Sequence, residues 1–241
     1  MINIQKHAFL SVLFIKSTLV LLFFGVNLPS FAQEIVTADN YLTTVSQRYA
    51  NIRDYEANVT IRSDGTDMHG NLSFLNPNFL RIDFTDPADQ VLIFNGEVMN
   101  IHIPRLRTVL SQTVTPMRGM TTTGGAGMAS AEGLQLLRRG YIPAFLTGPE
   151  PVALDNMNPE RVVKLRLTPR LSTEGFREII LSINPETLLI RRIEGRTIND
   201  ALVRFDFTNI RTNLGIPSQR FIYDSPPTAN VFHNFLFRDI D

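Results

Sequence analysis

Residues 70–104 constrain the fold of this chain most strongly, because strand-like alternation is combined there with explicit turn signals. Apolar side chains recur at every second position, which is the repeat of a β-strand. Pro77-Asn78, Asp86-Pro87 and Asn95-Gly96 interrupt the alternation, and the last pair suits the two positive-φ positions of a type I′ hairpin. The stretch is therefore predicted to form four short antiparallel strands.

These strands are predicted to share one apolar face. That face carries Met68, Leu72, Phe74, Leu80, Ile82, Phe84, Met99, Ile101 and Ile103. A sheet with an apolar face must bury that face against another element. The alternation alone leaves open whether the cover is a permanent core or a removable one.

Two amphipathic helices are available as the cover. The first begins after a capping sequence at Thr37 and ends near Asp54, and its apolar residues recur at steps of three and four: Leu42, Val45, Tyr49 and Ile52. The second precedes Pro143, with residues 144–146 predicted as an extra helical turn, and its apolar face carries Leu134, Leu137 and Tyr141.

Alternation resumes in the rest of the chain. Further strands are predicted over residues 55–61, 108–114, 163–167, 179–183, 188–193, 203–207 and 219–224. With about eleven strands, and helices only at the start and in the middle, the chain is predicted to be mainly β, of the α+β class. We expect a strongly curved antiparallel sheet, or an incomplete β-barrel, with a helical lid.

Residues 1–32 are predicted to be a secretory signal peptide and residues 33–241 a single domain. Lys6 and Lys16 precede an apolar run at residues 19–26, and Ser30-Phe31-Ala32 supplies the small residues of a cleavage site. The alternative is an uncleaved anchor helix. The predicted location is the periplasm or the outside of the cell, where a chain without cysteine has no disulfide to support its core.

The charged residues indicate neither nucleic-acid binding nor catalysis. The chain has 23 basic and 23 acidic residues, whereas nucleic-acid binding depends on basic side chains that neutralise phosphate. Asp83 with Asp86, or Asp206 with Glu194, are candidate acid–base pairs. Because these carboxylates alternate with apolar residues on the polar faces of strands, solvated surface carboxylates are the expected outcome.

No pattern predicts a metal, a cofactor or an enzyme. His69, His102 and His233 lack carboxylates at metal-ligand spacing. The glycine-rich residues 124–127 lack the Lys-Ser/Thr pair of a phosphate-binding loop, and no Gly-x-Ser-x-Gly elbow is present.

Residues 115–131 carry four glycines, four threonines and three methionines without any period. This composition predicts a mobile loop. Met117, Met120 and Met128 are either unimportant loop residues or adaptable contacts for an apolar ligand.

Several short motifs, in this order and spacing, resemble the periplasmic outer-membrane lipoprotein carrier family, which is LolA-like. They are Tyr55-Glu56-Ala57, Gly70-x-Leu72 before the run of residues 77–82, the run of residues 87–104 around Asn95-Gly96, and residues 221–231, FIYDSPPTANV. The resemblance covers most of the chain after the signal peptide.

The resemblance implies an unclosed barrel whose apolar cavity binds the acyl chains of lipoproteins. The cavity residues are expected to be Leu72, Phe74, Leu80, Ile82, Phe84, Met99, Ile101, Ile103, Leu134, Leu137 and Phe145. The implied protein is a monomer that takes cargo from an inner-membrane ABC-type release complex and passes it to an outer-membrane acceptor.

The chain departs from the family at two positions. Asn76 replaces an arginine that is thought to hold the lid, and Ile82 stands where the family often has tryptophan. Three alternatives to a carrier remain: a lipid- or lipoprotein-sensing regulatory module of the envelope, an enzyme or lipid-modifying factor, and a structural domain whose apolar faces pack permanently.

Overall fold

The computed structural model describes residues 36–114, 126–171 and 175–234. The predicted signal peptide, and most of the predicted glycine-rich loop with Met117 and Met120, lie outside the described residues.

The described residues form two helices and thirteen strands. In chain order these are α1 (Ala38–Ala50), β1 (Asp54–Ser63), β2 (Thr66–Leu75), β3 (Phe79–Asp86), β4 (Ala88–Asn95), β5 (Val98–Ile103), β6 (Thr108–Thr113), α2 (Ala131–Gly140), β7 (Tyr141–Phe145), β8 (Val152–Ala153), β9 (Arg161–Pro169), β10 (Phe176–Ile183), β11 (Ile190–Thr197), β12 (Leu202–Thr212) and β13 (Asn230–His233). Short 3₁₀ helices cover Pro104–Leu106, Ala126–Met128 and Ser218–Phe221.

All of the described strands belong to one curved, unclosed sheet. The strand order is β13, β6, β5, β4, β3, β2, β1, β12, β11, β10, β9, β7, and β8 also pairs with β9. Each pairing is antiparallel except that of β13 with β6, which is parallel. The predicted fold class, an incomplete barrel with a helical lid, is confirmed.

The stretch of residues 70–104 forms the predicted meander, in which β2, β3, β4 and β5 pair in succession. The turn between β4 and β5 differs from the predicted type I′ hairpin, because Gly96 has a positive φ of 91° and Asn95 does not. The side chain of Asn95 instead accepts hydrogen bonds from the backbone N–H groups of Glu97 and Val98. This Asx-type arrangement supports the turn from within.

The strand count exceeds the predicted one because three short strands, β7, β8 and β13, were too short for alternation to reveal them. The predicted extra helical turn at residues 144–146 is wrong, since β7 pairs with β9 through Phe145. Pro143 fits in β7 because β7 is an edge strand, where a missing N–H breaks no ladder bond.

The predicted strand over residues 219–224 is also wrong. Its first residues belong to the 3₁₀ helix Ser218–Phe221. Phe221 is buried there, and its ring lies 5.8 Å from the ring of Phe79 in β3. Phe221 therefore packs in a small core separate from the main one and is not part of a strand.

The two faces of the sheet differ in chemistry. The inner face, which we define by the main core cluster, includes Val59, Leu80, Ile82, Leu165 and Phe205. Helices α1 and α2 cover this face with side chains of the same cluster. Among the described residues, neither helix is long and apolar enough to span a bilayer.

The opposite, outer face holds a cluster of charged side chains. Arg192 is 8% exposed; its Nε donates to Asp206 at 2.5 Å and its Nη1 donates to Asp155 at 2.9 Å. Arg191 donates to Glu160 at 2.7 Å. These bonds attach residues 155–160 to β11 and β12 on the outer face of the sheet.

Asp206→Ala is expected to lower the free energy of unfolding by about 3 kcal/mol, because it removes the most buried carboxylate of the cluster, which lies 2.5 Å from Arg192 and 3.9 Å from Arg191. Each arginine then keeps one carboxylate partner, Asp155 or Glu160. Urea unfolding followed by circular dichroism measures the loss. Asp200→Ala is the matched control, since Asp200 is 61% exposed and pairs with the exposed Arg177. Its expected cost is below about 1 kcal/mol. Equal losses in the two variants would contradict the assigned role of the cluster.

Candidate functional site

The candidate site lies between the inner face of the sheet and the two helices. Most of the predicted lining residues are buried there in one cluster: Leu72, Phe74, Leu80, Ile82, Met99, Leu134 and Leu137. Phe84, Ile101 and Phe145 are half-buried and pack against that cluster, whereas Ile103 is half-buried at the end of β5 and lies outside it. Their role in ligand binding stays a prediction.

The site is closed in this structure. Ile82 and Met99 on the sheet have no exposed surface, and neither do Leu134 and Leu137 on α2. Met128, just before α2, is also buried, so this methionine packs in the core. With both helices in place, these four side chains offer a ligand no accessible surface.

Helix α1 is the first part of the cover. The side chain of Thr37 caps it by accepting a hydrogen bond from the N–H of Asn40 at 3.2 Å, as the sequence predicted. Leu42 and Val45 are fully buried on its inner side. This helix packs against both α2 and β7.

Helix α2 is the second part, and it is short. Ser130 caps it by accepting a hydrogen bond from the N–H of Gly133 at 3.0 Å. A side chain at Gly133 would bring its Cβ to 2.2 Å from the carbonyl oxygen of Gly127, so only glycine permits this close approach. A helix of ten residues is marginal on its own, so α2 depends on the packing of Leu134 and Leu137.

Two buried tyrosine hydroxyls connect the cover to the sheet. The hydroxyl of Tyr55 in β1 donates to the carbonyl oxygen of Ala129, immediately before α2, at 2.8 Å. The hydroxyl of Tyr49 in α1 accepts from the N–H of Ile190 in β11 at 3.0 Å. The ring of Tyr55 also stacks on Phe74 at 5.1 Å. Each helix therefore has one buried polar anchor on the sheet.

Sequence reasoning missed both anchors. Their partners are backbone atoms that lie 74 and 141 residues away along the chain. The one available signal was a tyrosine, in place of phenylalanine, on a buried face, because a buried phenol requires a hydrogen-bond partner.

Asn76, the position at which the resemblance implied a lid-holding residue, does not take part in the cover. It is exposed in the turn between β2 and β3, and its N–H donates to the carbonyl oxygen of Arg53. Arg81 lies on the outer face as predicted and binds Asp83, which also binds Arg220. The anchor of α2 in this protein is the hydroxyl of Tyr55.

The chemistry of the inner site is apolar with a few phenols. Tyr41 packs on Phe145 with ring centroids 6.1 Å apart, and its buried hydroxyl has no hydrogen-bond partner among the described residues. Burial raises the pKa of Tyr41 above its ordinary value. Such a surface can hold a hydrocarbon chain, and a phenol of this kind can donate to a polar group on it.

The candidate acid–base residues lie elsewhere: Asp86 is exposed at the end of β3, and the other three lie next to arginines. Asp83 binds Arg81 at 2.7 Å, and Asp206 binds Arg192. Glu194 lies 3.8 Å from Arg204. Within the described residues, no group of three or more histidine or carboxylate side chains is placed to hold a metal ion.

Comparison with known proteins places the fold. No family model matches the chain, and no curated protein matches it. An uncharacterized conserved protein from Thermus thermophilus matches with a TM-score of 0.51 and 10% identity, over 79% of this chain and 98% of that chain. A LolA superfamily protein from Nitrosomonas europaea matches with a TM-score of 0.42 and 13% identity, over 78% of this chain and 98% of that chain.

The predicted resemblance to LolA-like proteins is confirmed at the level of fold. The Pseudomonas aeruginosa MucA/MucB complex also matches, with a TM-score of 0.47 and 14% identity, over 81% of this chain and 63% of that chain. Matches at identities this low concern the fold alone, and they leave the ligand of this chain to be argued from its own residues.

Tyr55→Phe is expected to loosen α2 selectively, because it leaves the carbonyl oxygen of Ala129 buried without its donor, at a cost of about 1–2 kcal/mol. Amide hydrogen exchange measures the effect: α2 should exchange about tenfold faster while β1 and β2 keep their protection. Tyr49→Phe is the matched control, since it should loosen α1 and the start of β11 and not α2. A uniform loss of protection against amide exchange in both variants would contradict the assignment of a separate anchor to each helix.

The buried tyrosines should make the protein sensitive to alkaline pH. Burial raises the pKa of Tyr49 and Tyr55 above the ordinary value of 10.0, and for Tyr55 the neighbouring Tyr49 adds to the rise. The unfolded chain therefore loses these protons at a lower pH than the folded protein.

The contribution of these two tyrosines to the free energy of unfolding should then be constant below about pH 10 and should fall above it by about 1.4 kcal/mol per pH unit for each tyrosine. Urea unfolding at pH values on both sides of pH 10.0 measures the slope. In the double variant Tyr49→Phe with Tyr55→Phe, the free energy of unfolding should decrease less steeply with pH. An unchanged slope would show that other groups cause the decrease.

Proposed function

We propose that this protein is a carrier that holds the acyl chains of lipoproteins between the inner face of its sheet and its helical cover. The observation that carries the proposal is the construction of that cover. A continuous apolar wall, with Leu80, Ile82 and Met99 fully buried or nearly so, is closed by α1 and by α2, a ten-residue helix with a buried polar anchor. A rigid wall and a short, separately anchored cover are the parts that reversible loading requires.

The energies support exchange of the cover for a ligand. Exposing Leu134 and Leu137 costs about 2 kcal/mol each, and losing the hydrogen bond of Tyr55 costs about 1 kcal/mol more. An acyl chain of about 15 methylenes gains on the order of 12 kcal/mol when it leaves water. The gain exceeds the cost of opening, so the filled state is favoured while release at an acceptor remains possible.

The carrier is proposed to act in the periplasm after export. It would receive cargo from an inner-membrane ABC-type release complex and deliver it to an outer-membrane acceptor, as a monomer and without a cofactor. We propose binding and no catalysis, because the inner face offers phenols and hydrocarbon side chains, whereas Asp83 and Asp206 lie on the outer face in ion pairs.

A lipid- or lipoprotein-sensing module would bind the same chains, and the two functions differ in the fate of the bound lipid. A carrier transfers its cargo to acceptor membranes, whereas a sensor retains the lipid and changes its affinity for a protein partner. A transfer assay with acylated peptide and acceptor vesicles separates the two.

Mass spectrometry of the protein purified without detergent from a bacterial envelope tests the proposal. We expect acylated polypeptide to co-purify at a defined ratio. Ile101→Asp should lose this cargo, because Ile101 is half-buried at the inner face and a carboxylate there opposes burial of a hydrocarbon chain.

Leu106→Asp is the control, with the same change of side chain at a position that is 66% exposed. It should keep the cargo. Empty wild-type protein under several loading conditions, or turnover of lipid esters by the purified protein, would contradict the proposal.

A further inference from the structure

A polar groove lies between α1 and α2, on the side of the cover that faces away from the apolar core. Its volume is about 450 Å³, and its polar lining comes from both helices: Thr43, Ser46 and Gln47 of α1, and Gln135, Arg138 and Arg139 of α2. The groove thus joins the two parts of the cover that the candidate site must separate or move.

The groove is lined by donors of hydrogen bonds and by positive charge. Arg138 and Arg139 contribute two guanidinium groups, and no acidic side chain is part of the lining. Asp39, which is 58% exposed, comes within 3.9 Å of Arg138, which is too long for a hydrogen bond. An anion with several oxygen acceptors is the ligand that this set of groups recognises.

Arg138 has a donor that the protein does not use. Its Nε is buried, and no described residue accepts a hydrogen bond from it. Arg138 and Arg139 lie in the last turn of α2, where positive charge stabilises the helix dipole. The dipole explains the charge of the two residues, but it leaves this buried N–H unsatisfied, which is costly unless an acceptor arrives.

We propose that the groove between α1 and α2 binds a phosphate group, with Arg138 and Arg139 as the charged ligands and Gln47 and Gln135 as neutral donors. A phosphate bound there contacts both helices of the cover at once. The phosphate of an anionic phospholipid headgroup would therefore bring the cover to a membrane surface, where an acyl chain enters or leaves. The inference goes beyond the carrier function and does not depend on it.

Two probes identify the phosphate source. The first is inorganic phosphate, titrated into the protein while the Nε–H resonance of Arg138 is followed by nuclear magnetic resonance. The second is sedimentation with vesicles of phosphatidylcholine alone or of phosphatidylcholine mixed with phosphatidylglycerol. Binding to the mixed vesicles should weaken as salt is raised.

The test variant is Arg138→Gln with Arg139→Gln. The charge-matched control is Arg166→Gln with Arg177→Gln, two arginines in β9 and β10 that are 49% and 58% exposed. Each arginine near an anionic surface contributes about fivefold in affinity, so the groove variant should bind mixed vesicles about 25-fold more weakly than the control. Equal melting temperatures show that both variants are folded.

A saturable shift of the Arg138 resonance together with selective loss of vesicle binding supports the site and assigns a lipid source. A saturable shift without vesicle binding supports the site and assigns a soluble phosphate compound as its ligand. No shift and no vesicle binding, or equal losses in the groove and control variants, overturns the proposal. If the groove variant retains acylated cargo, the carrier function does not depend on the groove, and the two proposals are tested separately.

Discussion

Burial of the inner apolar face is the interaction on which the rest of the structure depends. Thirteen strands form a wall whose core side chains cannot all be covered by the wall itself, because the sheet is curved but unclosed. In the described part of the chain, two short helices supply the cover, and each connects to the sheet through the hydroxyl of a tyrosine, Tyr49 or Tyr55. The same apolar surface therefore stabilises the fold when covered, and in the proposed function it binds the ligand when uncovered.

Stability is distributed unevenly between wall and cover. The wall has continuous ladders, a buried charge cluster around Arg192 and a satellite core at Phe221, all away from the inner face. The cover has few polar anchors and depends on the packing of leucines such as Leu134. We therefore expect opening of the cover to cost less free energy than unfolding of the wall.

The sequence was most informative where a short-range pattern determines structure. Alternation and turn residues predicted the meander of β2 to β5, and helical spacing predicted α1 and α2, because these patterns depend on neighbours along the chain. The predicted side-chain directions held for Ile82 on the inner face and Arg81 on the outer face. Residues 144–146, which follow Pro143, were misread as a helical turn, because only the sheet order reveals that β7 is an edge strand.

The polar features of the site could not be predicted in the same way. The anchor from Tyr55 to Ala129 joins residues that are 74 positions apart. In the polar groove between α1 and α2, Ser46 lies beside Arg138 only because the two helices pack on each other. Position 76 drew attention through the family resemblance, yet its side chain is exposed in a turn. Long-range contacts of this kind become visible only in the assembled fold.

Intermolecular nuclear Overhauser effects between a palmitoylated peptide and the methyl groups of the protein test the central claim most directly. If the helical cover moves away and the inner face binds the ligand, the acyl chain will show contacts to the methyl groups of Leu80, Ile82 and Met99. Ile93 and Val109, which are equally buried but lie outside the main core cluster, will show none. Absence of contacts to the inner face at saturating peptide, or contacts of equal strength to both sets, would mean that this face is permanent core.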